Sequence, residues 1–206
     1  MWKWILTLCA ICAFNLNAEI NVLAFSGSMR KDSVNKKLAN EAAHWARQKG
    51  AHVTVVDFKD YVFPFYDRDL EASEGMPLKV KLFRQLMIKS QVIFIASPNY
   101  NSSLSGMLKN VLDWASRNER GEESKEAFKG KVFVIMSSSQ GSSGGVKGLN
   151  HLRAVIEKSG GTVLPQQFVV PFGDQAYGQD GHLKEPKLIE LQELIAAAFK
   201  DVQSDF

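Results

Sequence analysis

The stretch that decides the fold is VIFIASPNY, residues 92–100. Five apolar residues in a row are typical of a strand that is buried on both faces, as in a parallel sheet. Serine, proline and asparagine follow at once, so we expect the chain to leave the sheet abruptly. Open parallel sheets bind ligands beyond the carboxyl ends of their strands, which makes this polar stretch a candidate binding segment.

Further apolar runs alternate with helical segments along the rest of the chain. The additional predicted strands are residues 20–25, 52–57, 132–136 and a final strand region at 162–170. Cap signals and apolar spacing predict helices at residues 33–50, from 77 onward, at 106–116, 146–159 and 186–202. Residues 58–76 show no clear period. The alternation predicts one doubly wound α/β domain over residues 19–206, with five parallel strands and helices on both faces.

The first eighteen residues differ in composition from this domain. Lys3 precedes an apolar run at residues 5–14, and a short polar stretch then ends at Ala18. This layout is typical of a secretory signal peptide, and the run is shorter than the roughly 20 residues that span a bilayer. We expect an exported protein if residues 1–18 are cleaved and a cytoplasmic one otherwise. A misassigned start codon or a membrane-surface anchor would produce the same pattern.

The composition excludes several classes of site. A net charge of +3 gives no reason to expect nucleic acid as a partner. Both cysteines precede residue 19, so the domain has neither a cysteine nucleophile nor a thiolate metal site. No histidine pair has the spacing of a metal site, and we expect a solvent-side position for each of His44, His52, His151 and His182.

The loop after the first strand carries groups that suit a phosphate. It contains the hydroxyls of Ser26, Ser28 and Ser33, the amide of Asn35 and the guanidinium of Arg30. A phosphate at the start of the following helix would also gain backbone N–H donors. Neither a nucleotide-triphosphate loop nor a dinucleotide fingerprint is present. A capped helix with solvated polar residues would have the same composition, so both interpretations stay open.

Two more polar loops follow the third and fourth predicted strands. In the loop at residues 97–106, Pro98 stiffens the chain and Tyr100 offers a ring for a planar heterocycle. The loop at residues 137–145 contains three glycines, which allow a close approach of the backbone to a ligand. Glycine-rich connectors without a ligand are also common. All three loops are expected at the same edge of the sheet.

Three motifs in this order resemble the NADPH-dependent FMN reductase family, which includes chromate, quinone and azo-dye reductases. They are GSMRxxSxN at residues 27–35, SPxYNxS at 97–103 and GxLKNxxDW at 106–114, and the resemblance covers roughly residues 20–175. It implies a flavodoxin-like three-layer α/β/α fold with strand order 2-1-3-4-5. It also implies bound FMN, with NADPH or NADH as hydride donor.

The resemblance implies a site for each part of the cofactor. The phosphate would contact the first loop, and the isoalloxazine ring would lie against the second and third loops. The implied cofactor-binding residues are Ser26, Ser28, Met29, Arg30, Ser33, Asn35, Pro98, Asn99, Tyr100, Asn101, Ser102, Ser103, Ser137, Ser138, Gly141, Gly144 and Gly145. No catalytic acid, base, nucleophile or metal is predicted, because the cofactor carries the hydride chemistry to a flavin, quinone, azo or metal-oxyanion acceptor.

Two residues depart from the family pattern. Asn99 stands where the family usually has glutamate, which removes a negative charge near the ring. Ser105 replaces the usual proline before Gly106, and we expect it to loosen the start of that helix.

The family also implies a homodimer or homotetramer, with the helix at residues 106–114 in the contact. Trp114 of that helix belongs either to the core or to the subunit interface. The alternative function is a flavodoxin-like electron carrier without NAD(P)H oxidase activity. Arg30 and the slightly basic charge balance argue against it.

Overall fold

A twisted parallel sheet forms the centre of the molecule in a computed structural model, which describes residues 19–204. Its strands are β1 (Asn21–Ser26), β2 (His52–Val56), β3 (Val92–Ala96), β4 (Val132–Ser138), β5 (Thr162–Val163) and β6 (Phe168–Val170). The order is β2-β1-β3-β4-β5, and β6 also pairs with β4. The expected flavodoxin-like order is confirmed. The predicted signal peptide lies outside the described residues.

The edge of the sheet beside β4 holds two short strands where the sequence predicted a single strand region. β5 pairs with the beginning of β4, where Val132 faces Thr162. β6 pairs with the end of β4, where Ser138 faces Val170. Pro165 lies between the two strands and has no N–H to donate to β4, so the pairing is interrupted there. The end of β4 therefore has a neighbouring strand of its own.

Helices cover both faces of the sheet and complete three layers. They are α1 (Val34–Gln48), α2 (Arg68–Glu74), α3 (Leu78–Lys89), α4 (Gly106–Ala115), α5 (Val146–Lys158) and α6 (Lys187–Ser204). The apolar residues of α1 and α6 pack on one face of the strands. Those of α3, α4 and α5 pack on the other face. No helix within residues 19–204 has the length and apolar character needed to cross a bilayer.

Helix α2 lies in the segment for which the sequence predicted no regular structure. Its seven residues span only two turns, which is too short for an apolar period to be recognised. Asp67 caps it, since its carboxylate accepts hydrogen bonds from the N–H groups of Asp69 at 2.7 Å and Leu70 at 3.3 Å. An aspartate followed by acidic residues in the first turn is a helix-start signal that was available in the sequence.

Trp114 belongs to the core. Its side chain is fully buried, and its ring meets that of Tyr66 edge to face with centroids 5.0 Å apart. Its indole N–H donates to the carbonyl of Pro64 at 2.9 Å. Trp114 thus anchors the connector before α2 onto α4 and is not a surface for a subunit contact.

Candidate functional site

Two buried serines, one at the end of β1 and one in the first loop, shape the backbone there. The N–H of Ser28 donates to Ser26 Oγ at 3.2 Å, and the N–H of Arg30 donates to Ser28 Oγ at 3.3 Å. Both serines are nearly inaccessible to solvent, whereas Met29 and Arg30 are exposed. Because the hydroxyls hold the loop in place, the Arg30 side chain extends outward from a fixed base.

Helix α1 starts at the end of this loop with a side-chain cap. Ser33 Oγ accepts from the N–H groups of Asn35 at 3.2 Å and Lys36 at 3.4 Å, which confirms the predicted cap. The side chain of Asn35 is hydrogen-bonded to β4. Its Nδ2 donates to the carbonyl of Ser138 at 2.8 Å, and the Ser138 N–H donates to its Oδ1 at 2.9 Å. Asn35 therefore ties the start of α1 to the end of β4.

A partly buried ion pair connects α1 to the residue that follows β2. Lys36 Nζ lies 2.7 Å from both carboxylate oxygens of Asp57, which follows β2. Burial alone would raise the pKa of Asp57, but the bonds from Lys36 and from the backbone N–H of Lys59 lower that pKa below its usual value. Lys36 is thus paired with Asp57, whereas Arg30 and Lys31 of the first loop form no ion pair within residues 19–204.

The second loop is a tight turn that displays an aromatic ring. Tyr100 and Ser103 exchange backbone hydrogen bonds of 2.9 and 3.0 Å across the two residues between them. Asn101 and Ser102 have φ angles of 50° and 62°, and two positive φ angles in succession define a type I′ turn. Tyr100 is 50% exposed. Its ring therefore stands on a rigid support at the edge of the sheet.

Ser105 tightens the start of α4, so the expectation that it loosens this helix was wrong. Its hydroxyl accepts from the N–H of Leu108 at 3.1 Å, as an N-cap residue does. The same hydroxyl donates to the carbonyl of Gly27 at 2.7 Å. One buried serine thereby caps α4 and holds the first loop, a double role that proline could not perform.

The third loop is shorter than predicted, because Ser137 and Ser138 belong to β4. Both serines are buried, and Ser138 Oγ donates to the carbonyl of Val170 in β6 at 3.2 Å. The remaining loop ends at Gly144 and Gly145, whose φ angles are 60° and 92°. A Cβ atom at Gly145 would lie 2.2 Å from Ser137 Oγ, so only glycine fits at this position.

The three loops converge, as the sequence predicted. A Cβ atom at Gly27 in the first loop would lie 3.2 Å from Pro98 Cδ in the second. A Cβ atom at Gly148, in the first turn of α5, would lie 2.9 Å from Asn99 Oδ1. Together with the Asn35–Ser138 bonds, these close approaches bring the ends of β1, β3 and β4 into one polar rim.

Comparison with known proteins identifies the family. The family model described as NADPH-dependent FMN reductase matches residues 20–175. The chain belongs to this family. The protein is therefore an oxidoreductase, with FMN as its cofactor and NAD(P)H as its hydride donor.

Relatives of this reductase cover most of its length. An NAD(P)H-dependent FMN reductase of Pseudomonas aeruginosa is 30% identical over 177 residues, which is 85% of this chain and 91% of the relative. A quinone reductase of Escherichia coli is 30% identical over 144 residues, which is 68% of this chain and 71% of the relative. Among solved structures, FerB, a flavoenzyme NAD(P)H:(acceptor) oxidoreductase from Paracoccus denitrificans, matches with a TM-score of 0.76 and 26% identity and covers 90% of this chain and 98% of that one.

The residues of the reductase at the rim fit an FMN molecule. Ser137 Oγ and Asn99 Oδ1 are buried and have no hydrogen-bond partner among the described residues. Buried polar atoms are nearly always paired, so both suit the polar edge of a bound ring. A Cβ atom at Gly145 would lie within 2.2 Å of Ser137 Oγ and 3.1 Å of Asn99 Cβ, which places the two side chains beside each other. The first loop adds the hydroxyls and the cation that a phosphate needs.

The reductase has a fourth segment at the same rim, which the sequence interpretation missed. The turn after β6, residues 171–174, joins the third loop through a bond of 2.9 Å from the Gly173 N–H to the Ser139 carbonyl. Gln140 Nε2 donates to Asp174 Oδ2 at 2.8 Å. Proline and glycine directly after an apolar run were a turn signal in the sequence. It was overlooked because the final strand region was not divided in two.

Proposed function

We propose that this reductase passes electrons from NAD(P)H through FMN to a quinone. The observation that carries the proposal is the half-exposed ring of Tyr100, held on a rigid turn at the rim. A flat apolar acceptor can pack against such a ring. The similarity to the quinone reductase of Escherichia coli supports the same acceptor class.

In this proposal the first loop and the start of α1 bind the phosphate. Arg30 supplies a charge-assisted hydrogen bond, while the backbone N–H groups near Ser33 supply the positive end of the helix. Asn35 contributes indirectly, because its amide is occupied by Ser138 and fixes the distance between the phosphate loop and β4. Met29, being exposed, would cover the cofactor from the solvent side.

The second and third loops orient the ring. When bound, FMN would supply the two-electron chemistry that links the nicotinamide to the acceptor. Pro98, Asn99 and Ser137 would fix the edge of the ring, and Gly144 and Gly145 allow the backbone to approach it. The protein would thereby orient the donor and the cofactor for hydride transfer.

The absorbance spectrum and a steady-state assay test the proposal. We expect purified protein to be yellow and to oxidise NADPH with menadione faster than with a chromate, azo-dye or free-flavin acceptor. A preference for one of the other acceptors would contradict the quinone assignment. Oxidation of NADPH only after a separate reductase is added would support the electron-carrier alternative, which the family membership does not favour.

Assembly and location are further parts of the proposal. We infer a homodimer or homotetramer from the family, with a contact that uses the solvent-facing residues of α4, since Trp114 is buried. Size-exclusion chromatography with light scattering tests this, and a monomer at micromolar concentration would contradict it. Export depends on cleavage after residue 18, which N-terminal sequencing of the native protein tests.

A further inference from the structure

Phe172 has an unusual backbone conformation in the turn after β6. Its φ and ψ angles are 50° and 48°, in the left-handed region. For a bulky side chain this region is a genuine outlier, because Cβ approaches the backbone too closely. Strained residues persist only where the surrounding structure fixes them, and they concentrate at functional sites.

The surroundings of Phe172 fix the turn on both sides. The Ser139 N–H donates to the Val170 carbonyl at 3.2 Å, and the Gly173 N–H donates to the Ser139 carbonyl at 2.9 Å. Gly173 has no room for a side chain, since a Cβ atom there would lie 2.3 Å from Ser138 Oγ. The turn is thus a rigid part of the rim.

Phe172 is nonetheless 51% exposed. The exposure of an aromatic ring and the strain of its backbone are both unfavourable, and the packing of the core explains neither feature. A planar ligand group that covers the ring would explain both.

The position of the turn indicates which group this is. A Cβ atom at Gly173 would lie 3.2 Å from Cβ of Val34, the first residue of α1, so Phe172 stands at the phosphate end of the cofactor site. The exposed side chains of Arg30 and Lys31 belong to the same phosphate end.

We propose that Phe172 stacks on the adenine base of NAD(P)H. This inference rests on the proposed function, in which the nicotinamide lies over the flavin ring. A dinucleotide that extends from there along the cofactor site brings its phosphates to Lys31, beside the FMN phosphate that Arg30 binds. Its second base then reaches Phe172. The turn after β6 is in this way a specificity element for the donor and not for the acceptor.

Two donors test the proposal with the FMN-loaded enzyme: NADPH, and reduced nicotinamide mononucleotide, which lacks the adenosine half. For Phe172→Ala we expect kcat/KM for NADPH to fall about tenfold, because stacking of a base on an aromatic ring contributes about that factor or more. The value for the mononucleotide and the bound FMN content should stay unchanged. Phe172→Trp should retain the NADPH value, and Ile189→Ala, an exposed apolar residue on α6, serves as the matched control.

Equal losses with both donors, or no loss with either, would overturn the proposal. A loss of bound FMN in Phe172→Ala would do the same, since it would show that Phe172 contacts the cofactor. If Phe172→Ala does not fold, Phe172→Leu keeps the apolar bulk without the ring and should show the same selective loss. Failure of the unaltered protein to oxidise either donor would contradict the proposed function itself.

Discussion

Arg30 is the residue whose predicted role depends most directly on charge. It extends from a loop that Ser26 and Ser28 hold in place, and it forms no ion pair within residues 19–204. For Arg30→Ala we expect FMN binding to weaken by about tenfold or more, since a hydrogen bond to a charged group contributes about 1.5–3 kcal/mol. Binding of riboflavin, which has no phosphate, should change little. Fluorescence titration of apoprotein measures both, and equal losses would contradict the phosphate assignment.

Asn35 shows that a correctly placed side chain can act through another residue. Its hydrogen bonds satisfy both backbone groups of Ser138, and all four atoms are buried. Asn35→Ala leaves the Ser138 N–H and carbonyl unpaired, so we expect the free energy of unfolding to fall by about 2–3 kcal/mol. Asn40→Ala, at an exposed position of the same helix, should change it by less than about 0.5 kcal/mol. Urea denaturation of both variants decides the point, and similar values would show that the bridge contributes nothing.

At the scale of the elements, the glycine that starts α5 sets how closely β4 and the third loop approach. Gly145 and Gly50 both have positive φ, at 92° and 84°. Only Gly145 lies against another side chain, because nothing is within 4 Å of a Cβ atom at Gly50. Both alanine variants should therefore lose about 1–2 kcal/mol of folding free energy because alanine disfavours a positive φ. Gly145→Ala has a steric clash in addition.

We accordingly expect Gly145→Ala to unfold at a clearly lower temperature than Gly50→Ala and to purify with less bound FMN. The ratio of visible to ultraviolet absorbance measures the FMN content. Adding Ser137→Ala to Gly145→Ala should recover part of the stability, because it removes the clashing oxygen. Equal melting temperatures for the two glycine variants would contradict the close packing at α5.

The elements that the sequence predicted best are those with a strong pattern. β3 is uninterruptedly apolar and has the predicted bounds, and α1 begins at the predicted cap, Ser33. Ser137 and Ser138 were assigned to a loop because serine is polar, although pairing with β6 buries them. Their burial depends on a strand that comes thirty residues later in the chain, so it cannot be predicted from the local composition.

At the scale of the whole molecule, a buried ion pair joins two segments that are distant along the chain. Arg117, just after α4, lies 2.9 Å from the carboxylate of Glu71 in α2, and Tyr66 Oη donates to the same carboxylate at 3.1 Å. The bond to Glu71 raises the pKa of Arg117, and burial together with that carboxylate raises the pKa of Tyr66. The hydrogen bonds of the pair reach no residue of the three cofactor loops, so we expect it to affect stability and not catalysis.

Glu71→Gln and Arg117→Ala should each lower the free energy of unfolding by about 3–5 kcal/mol, because each leaves a buried group without its partner. The double variant Glu71→Met with Arg117→Met should lose much less, since no charge is then buried alone. The kcat of the folded fraction should be unchanged in all three. Denaturation and activity measured on the same samples check this, and a kcat that fell in proportion to stability would show that the ion pair and the cofactor rim are coupled.

The order of the strands followed from a family resemblance, whereas composition alone indicated only a parallel α/β domain. The convergence of the three loops could be predicted because carboxyl ends of parallel strands share one edge. The turn after β6 follows the same rule, but it was overlooked because the final strand region was not divided in two. Pro165 alone does not indicate whether the chain returns to the sheet after it.

Because the edge strand is divided into β5 and β6, the connection between these two strands is independent of the cofactor site. Arg153 holds the connection between β5 and β6 by donating to the carbonyls of Leu164 at 2.6 Å and Pro165 at 3.1 Å. β6 and the turn after it have their own bonds to the rim. Residues 165 and 166 are exposed between these two attachments. A longer or shorter connection could be accommodated there without moving Phe172 or the cofactor loops. The edge of the sheet is thus a place where homologous chains can acquire new surfaces, for example for assembly, and keep the same reaction.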